Sequence, residues 1–264
     1  ISQNCDCKSY TKDQPVIDSL LDIVDYDGVN KLANKLIKDG TSSCIAFGYG
    51  YMAEVLVKQN NSDSAKKCLQ ITKEYFDNSN CPAKNKYKYF SQSAEFYFYQ
   101  NNYEEALAHS LKKLEIASAA PNSIKLADWT LRIANIFVKM SQAEKAKHYT
   151  LLAKQAIDKL PECYKKYHLY NTLANRYNNL YQDFKDSRYL DTIEVFMNSM
   201  RTHAVKLGPY NRLLEQYYRK KAFLHLKTKN FESSLKYLDS AIRIVRAFPM
   251  AGERYSINGD KANI

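Results

Sequence analysis

Five of the six prolines in this chain are almost evenly spaced, and that spacing limits what it can fold into more than any other feature. Pro82, Pro121, Pro161, Pro209 and Pro249 stand 39, 40, 48 and 40 residues apart, with Pro15 outside the series. Proline lacks the N–H that a helix interior needs and fixes φ, so regular prolines mark the ends of similar helical units. Alanines give the same period: Ala53, Ala94, Ala134, Ala174, Ala222 and Ala262 are 41, 40, 40, 48 and 40 residues apart. Twelve residues beyond four of them stands a second small residue, Ala65, Ala106, Ala146 or Ser234. The fourth unit lacks that partner, and it is also the unit with eight extra residues. A fixed period carried by independent markers is the signature of a repeat architecture.

Each unit reads as two antiparallel helices. Tyr87 to Gln100 precedes Tyr103 to Ser118, with Asn101-Asn102 as the turn; Ile124 to Lys139 precedes Ser141 to Leu160; Tyr210 to Thr228 precedes Asn230 to Phe248. Apolar residues return at three- and four-residue steps, as in Leu131, Ala134, Phe137 and Val138, and no segment alternates as a strand would. Ser141 with Glu144 three residues later reads as a capping box. The paired small residues let the two helices of a hairpin approach closely. Leu56, Tyr97, Phe137 and Tyr177, each three after a first alanine, fill the space beside that crossing. One hairpin cannot bury its face alone, so units stack. The extra residues of the fourth unit, around Leu180 to Tyr189, predict a longer helix or turn. Only 7 Gly and 6 Pro leave little turn material for a β-sandwich or barrel, and no run of 18 apolar residues could form a membrane span.

Two segments carry a family resemblance. Ala94-Glu95-Phe96-Tyr97 through Asn102-Tyr103-Glu104-Glu105-Ala106-Leu107, and Ala222 through Asn230-Phe231-Glu232-Ser233-Ser234-Leu235, resemble tetratricopeptide repeats, with two small residues, an aromatic entering the second helix and a closing proline. The resemblance covers residues 41–264. Its period near 40 is longer than the common 34-residue unit and is similar to a longer-helix class found in bacterial signalling and regulatory proteins. It implies an all-α fold: an α-solenoid of antiparallel helix hairpins wound as a right-handed superhelix. The expected plan is an N-terminal tail over 1–13 and one helical-repeat domain over 14–264. Within that domain a degenerate leading hairpin precedes units near 41–81, 82–120, 121–160, 161–208 and 209–248, and a partial unit follows at 249–264. The chain begins at Ile1 and ends inside the opening of another first helix, so the parent protein is expected to continue. A further unit, or a second copy in a homodimer, would cover the apolar edge around Ala262 and Ile264.

Catalytic patterns are lacking. Gly48 and Gly50 lie in a helical pattern without the Lys-Ser/Thr of a phosphate-binding loop. The five histidines, His109, His148, His168, His203 and His225, make no i, i+4 pair, and no Gly-x-Ser-x-Gly elbow occurs. Glu104-Glu105 reads as a solvated helix face. The expectation is a non-catalytic segment with no metal and no cofactor. Lys+Arg exceeds Asp+Glu, 39 against 28, for a net charge of +11, but the densest cluster is Arg219-Lys220-Lys221 and no nucleic-acid motif is present. Of the cysteines, Cys5-x-Cys7 is not a zinc spacing. Cys44 opens one helix of a hairpin and Cys81 follows the end of its partner. Antiparallel geometry brings those ends together, and in an oxidising compartment a disulfide can join them; accidental proximity is the other reading.

The resemblance also places a ligand face. In tetratricopeptide arrays the first helix of each unit lines the concave side, and the residue after the first alanine points into the groove. Here those residues are Glu54, Glu95, Asn135, Asn175, Phe223 and Asn263. The three asparagines are similar to ladders that hold a peptide main chain, since an amide side chain both donates and accepts. Asn171 and Asn178 add to this in the fourth unit. Arg219 and Lys227 would favour an acidic ligand end, Glu54 and Glu95 a basic one. The plain alternative is that asparagine is a tolerated surface residue in an asparagine-rich chain. As exposed residues, Asn135 and Asn175 would cost less than about 0.5 kcal/mol to replace with alanine. The implied role is a peptide- or protein-binding solenoid, the extracytoplasmic or periplasmic sensory region of a signal-transduction protein of histidine-kinase or transcriptional-regulator type. The alternatives are a cytoplasmic peptide-responsive regulator and a structural scaffold.

Overall fold

Asparagine-centred turns set where the helices begin. In the computed structural model, which describes residues 7–22, 24–78, 83–119, 123–206 and 212–247, Asn60, Asn101, Ser141 and Lys229 each take a left-handed φ between 57° and 59°. The next residue is the N-cap of the second helix. Asn61, Asn102 and Asn230 accept from the N–H groups of Ser64, Glu105 and Ser233 at 3.3, 3.3 and 3.1 Å. Asparagine tolerates the left-handed region and is a strong cap, so these turns need little glycine. At the equivalent turn Ser141 occupies the left-handed position, and Gln142 stands at the N-cap without a side-chain cap bond. The expected capping box from Ser141 therefore does not form.

Among the described residues there are twelve α-helices and no strand: α1 Lys8–Asp22, α2 Tyr26–Asp39, α3 Ser42–Lys58, α4 Ser62–Asp77, α5 Ala83–Tyr99, α6 Tyr103–Ser118, α7 Ile124–Lys139, α8 Ala143–Asp158, α9 Tyr164–Phe184, α10 Arg188–Lys206, α11 Arg212–Lys227 and α12 Phe231–Ala247. The fold is all-α, built from antiparallel helical hairpins as the repeat spacing predicts. α3 packs on α4, α5 on α6, α7 on α8, α9 on α10 and α11 on α12. First helices also lie beside first helices: α1 by α3, α3 by α5, α7 by α9 and α9 by α11. The packing falls into two compact units, residues 1–119 with α1 to α6 and residues 120–264 with α7 to α12. The eight extra residues of the fourth repeat lengthen both its helices, α9 to 21 residues and α10 to 19, against 16 or 17 in the other four hairpins that follow α2. The partial unit expected at 249–264 lies outside the described residues.

The small-residue pairs are the hairpin crossings. Ala53, Ala65, Ala94, Ala106, Ala134, Ala146, Ala222 and Ser234 are all buried. Ser234 Oγ donates to the Ala222 carbonyl at 2.8 Å across its turn. Three residues past each small residue, side chains meet beside the crossing. Tyr97 stacks on His109 at 5.5 Å, Phe137 meets Tyr149 at 5.2 Å, and His225 stacks on Tyr237 at 5.2 Å. Burial holds the His109 pKa below its ordinary value, so the stacked ring is kept neutral. Two larger cores complete the packing, one in each unit: Val29, Leu36, Phe47, Tyr51 and Phe76 in the first, and Leu131, Ile157, Leu173, Ile193, Met197 and Met200 in the second.

A disulfide joins Cys7 to Cys44, with Cα atoms 5.1 Å apart. This corrects the Cys44–Cys81 pairing. α1 starts at Lys8, inside the stretch read as a tail, and its helix packs along α3, which brings Cys7 to the first turn of α3. Cys81 lies outside the described residues, and Cys68 and Cys163 are free thiols.

The glycines of α3 are explained by contact rather than by phosphate chemistry. A Cβ on Gly48 would lie 2.6 Å from the Ala33 carbonyl oxygen of α2, a rigid backbone neighbour. Gly48→Ala should therefore destabilise the protein by about 1–3 kcal/mol through overpacking, although alanine is the better helix former by about 1 kcal/mol. Urea unfolding followed by circular dichroism measures this; a stabilised Gly48→Ala variant would show that α2 and α3 do not pack this closely.

Candidate ligand-binding face

The first helices in each unit are tied side chain to side chain, and the residue after the alanine is the acceptor. In the first unit Glu54 of α3 accepts from Lys88 Nζ at 2.9 Å and from Gln92 Nε2 at 3.4 Å, both on α5. Lys88 Nζ also lies 4.0 Å from Asp18 of α1 and 4.2 Å from the centre of the Tyr51 ring. Tyr51 donates to Asp18 at 3.1 Å. Burial opposes the charge on Lys88, but Glu54 and Asp18 outweigh it and raise its pKa. Burial, reinforced by Tyr10 and Asp18, raises the Tyr51 pKa as well. Lys88 is thus held as a cation and Tyr51 as a neutral phenol, and the cluster binds the three helices together through opposed charges. Glu95 is half-buried on α5.

The second unit uses amides where the first uses carboxylates. Asn135 Oδ1 on α7 accepts from the Arg176 guanidinium on α9, and Asn175 Oδ1 on α9 accepts from Lys220 Nζ on α11. Lys220 stands two residues before its repeat alanine, as Gln92 does in the first unit, so the same register serves both contacts. Both asparagines are half-buried. No carboxylate among the described residues pairs with Arg176, its Nε is buried without a partner, and burial pulls its pKa down to about 10. Asn178 Oδ1 is likewise buried without a partner.

A cavity of about 440 Å3 opens on this face. α9 contributes Asn171 and Asn175; α11 contributes Gln216, Arg219, Lys220 and Phe223; the apolar side includes Leu226 and, from α12, Leu238. Arg219 lies 3.8 Å from Glu215, and Glu215 is not part of the lining. Lys227 is exposed, with Nζ 5.2 Å from the centre of the Phe223 ring. The structure thus brings Asn171, Asn175 and Arg219 into one cavity with Lys227 close by, and links Asn135 to it through α9. Glu54 and Glu95 belong to the other compact unit, and Asn263 lies outside the described residues. Lys88, Arg176 and Gln216 do not stand out in the sequence, and Lys220 does so only as part of the basic cluster Arg219-Lys220-Lys221; the register it shares with Gln92 was the signal for its contact. Among the described residues no cluster of three or more His, Cys, Asp or Glu side chains could hold a metal ion, and no helix is long and apolar enough to cross a membrane.

No protein-family model and no curated protein matches the chain. Solved structures do. A Signal Transduction ATPase with Numerous Domains from Pyrococcus horikoshii, which carries a tetratricopeptide repeat sensor, aligns over 94% of this chain with a TM-score of 0.63 and 22% identity. This chain spans only 38% of that protein. BtubC (BKLC) from P. vanneervenii aligns over 85% of this chain and 90% of its own, with a TM-score of 0.62 and 17% identity. At these identities the likeness is one of fold: a helical repeat.

Because Asn135 is the amide that receives a half-buried guanidinium, replacing it is not a surface change. Asn135→Ala should cost about 1–3 kcal/mol, the range for leaving a buried polar group without its partner. Asn135→Asp, which gives Arg176 a carboxylate, should raise the urea midpoint. An alanine variant within about 0.5 kcal/mol of the parent protein would mean that the asparagine serves no structural contact.

Proposed function

We propose that this chain is a non-catalytic binding segment that takes a peptide or protein segment on the first-helix face of its repeats. The observation that carries this reading is the cavity on that face in the second unit, where amide and cationic side chains from α9 and α11 converge beside an apolar wall. A concave site with a few placed polar groups is the usual form of a ligand site. Asparagine side chains suit an extended main chain because they donate and accept whatever the ligand sequence. The repeat architecture leaves such faces open while each hairpin satisfies its own backbone.

The more specific reading is an extracytoplasmic sensory region of a signal-transduction protein, of histidine-kinase or transcriptional-regulator type. The Cys7–Cys44 disulfide favours it, since disulfides persist mainly in oxidising compartments. The sensor role named for the repeat of the Pyrococcus horikoshii ATPase is consistent with it at the level of fold. A cytoplasmic peptide-responsive regulator is the alternative, and a passive scaffold is a third.

Two measurements test these readings. Selection of a displayed peptide library on the protein should yield binders that weaken by about fivefold, near 1 kcal/mol, on Asn171→Ala, and that a variant at an exposed second-helix residue such as Leu111→Ala leaves unchanged. Binders indifferent to Asn171, or no binders, would favour the scaffold. Thiol trapping in the cells of origin should find Cys7 and Cys44 protected until a reductant is added; direct alkylation of both would favour the cytoplasmic alternative.

A further inference from the structure

We infer that the end of the second unit where α8, α10 and α12 finish and α9 begins is a docking surface for an anionic lipid bilayer. The inference goes beyond the groove reading above, and no residue of the cavity takes part in it. It starts from the distribution of charge. Residues 120–247 hold 23 Lys and Arg against 11 Asp and Glu, whereas residues 1–119 hold 14 against 15. The second unit therefore carries the net positive charge of the chain. Such an imbalance between the halves of a chain points to an anionic partner for one of them.

The helices sort that charge by end. Ile157 and Leu160 of α8, Met200 and Ala204 of α10 and Ile244 of α12 pack in one core, and His203 of α10 stacks on Tyr167 of α9 at 4.2 Å. The last turns of three second helices and the first turn of α9 thus meet at one end. Lys159, Lys165, Arg201, Lys206, Arg243 and Arg246 stand there, all exposed. None of the six is in an ion pair among the described residues. The carboxylates toward this end, Asp128, Asp158, Glu162 and Glu215, already lie beside Arg132, Lys154, Lys166 and Arg219, at 3.3, 2.6, 2.9 and 3.8 Å. Asp239 stands midway along α12, and Glu144, Asp183, Asp186, Asp191, Glu194 and Glu232 lie toward the opposite end, among Lys139, Lys145, Arg188 and Lys229. That end is mixed in sign, while the surplus at this one is cationic. Helix dipoles explain only part of it. A cation is favoured in the last turn of a helix, which covers Lys206 and Arg246. Arg201 and Arg243 come before the last turn, and Lys165 is in the first turn of α9, where a cation is disfavoured.

Three observations select a bilayer among anionic partners. Cations from four helices at one end can meet a flat surface together, and a cluster of about four to eight Lys and Arg is a signature of anionic-lipid binding. Val205, between Arg201 and Lys206 on α10, is 57% exposed. An apolar side chain among cations can enter the interfacial layer while the cations hold the headgroups. The oxidising compartment favoured by the Cys7–Cys44 disulfide holds membrane surfaces rather than nucleic acid; on this point alone the inference rests on the compartment reading above.

The test is co-sedimentation of the 264-residue protein with vesicles of phosphatidylcholine alone or with about 30% phosphatidylglycerol. The anionic vesicles should bind at least about tenfold more tightly, and raising the salt from about 0.05 M to about 0.5 M should abolish the difference. Arg201→Gln with Lys206→Gln, and separately Arg243→Gln with Arg246→Gln, should each weaken that binding about twentyfold, since each cation near an anionic surface counts for about fivefold. Lys139→Gln with Lys145→Gln removes the same charge from the opposite end and should change binding less than about twofold. All six side chains are exposed, circular dichroism checks that each variant is folded, and either pair at the cationic end suffices for the comparison. Asn171→Ala, which weakens peptide binding in the groove, should leave vesicle binding unchanged, so either reading can fail without the other. Equal weakening by all three pairs would reduce the effect to net charge and overturn the surface. Equal binding to both kinds of vesicle, or binding to neither, would overturn it as well. Duplex DNA or polyglutamate bound where the anionic vesicles are not would assign a nucleic acid or an acidic protein in place of the bilayer.

Discussion

The rest of the structure depends on one contact, the crossing of two helices at a pair of small side chains twelve residues apart. Ala134 and Ala146 are wholly buried, and only because neither carries more than a methyl group can α7 and α8 approach at that point. The closeness leaves a ring of larger side chains to seal the sides, which is what Phe137 and Tyr149 do. The same arrangement recurs with Tyr97 and His109, and with His225 and Tyr237. A hairpin closed in this way has one apolar flank still open, and the next hairpin covers it. Stacking is a consequence of the crossing rather than a separate instruction.

Stacking in turn puts first helices side by side, and the two units make different use of that. In the first, Asp18, Glu54 and Lys88 set opposite charges against each other, with Tyr51 beneath. In the second, amides receive the cations: Asn135 takes Arg176 and Asn175 takes Lys220. An amide orients a cation without neutralising it. Exchanging carboxylate for amide at this register position therefore leaves the charge of the neighbouring cation in place.

The sequence exposed the packing more fully than the site. Ala53, Ala94, Ala134 and Ala222 with their partners are read directly, because sterics at a helix crossing restrict residue size at a fixed spacing. The longer helices α9 and α10 were visible as extra residues between Ala174 and Pro209. The cavity was only half visible. Asn175 was placed on the ligand face by the repeat register, with Asn171 and Arg219 as its neighbours, whereas Gln216 depends on how far α11 is rotated against α9, which period alone does not fix. The nearness of Cys44 and Cys81 was read from a hairpin closing on itself, with a disulfide or an accident as the two readings; α1 starts beside the start of α3, and Cys44 pairs with Cys7 instead. Ser141 shows the opposite error, a local motif overridden because the turn places that residue at left-handed φ and moves the cap to Gln142.

Native-state hydrogen exchange on the parent protein and on Ala146→Leu tests the crossing most directly. If α7 and α8 are one cooperative element joined at Ala134 and Ala146, their slowest amides share a single opening free energy. The larger side chain then lowers it equally in both helices, by about 1–3 kcal/mol for overpacking. Loss of protection in α8 alone, with α7 unchanged, would contradict the account, because the two helices would then be held by their neighbours rather than by each other.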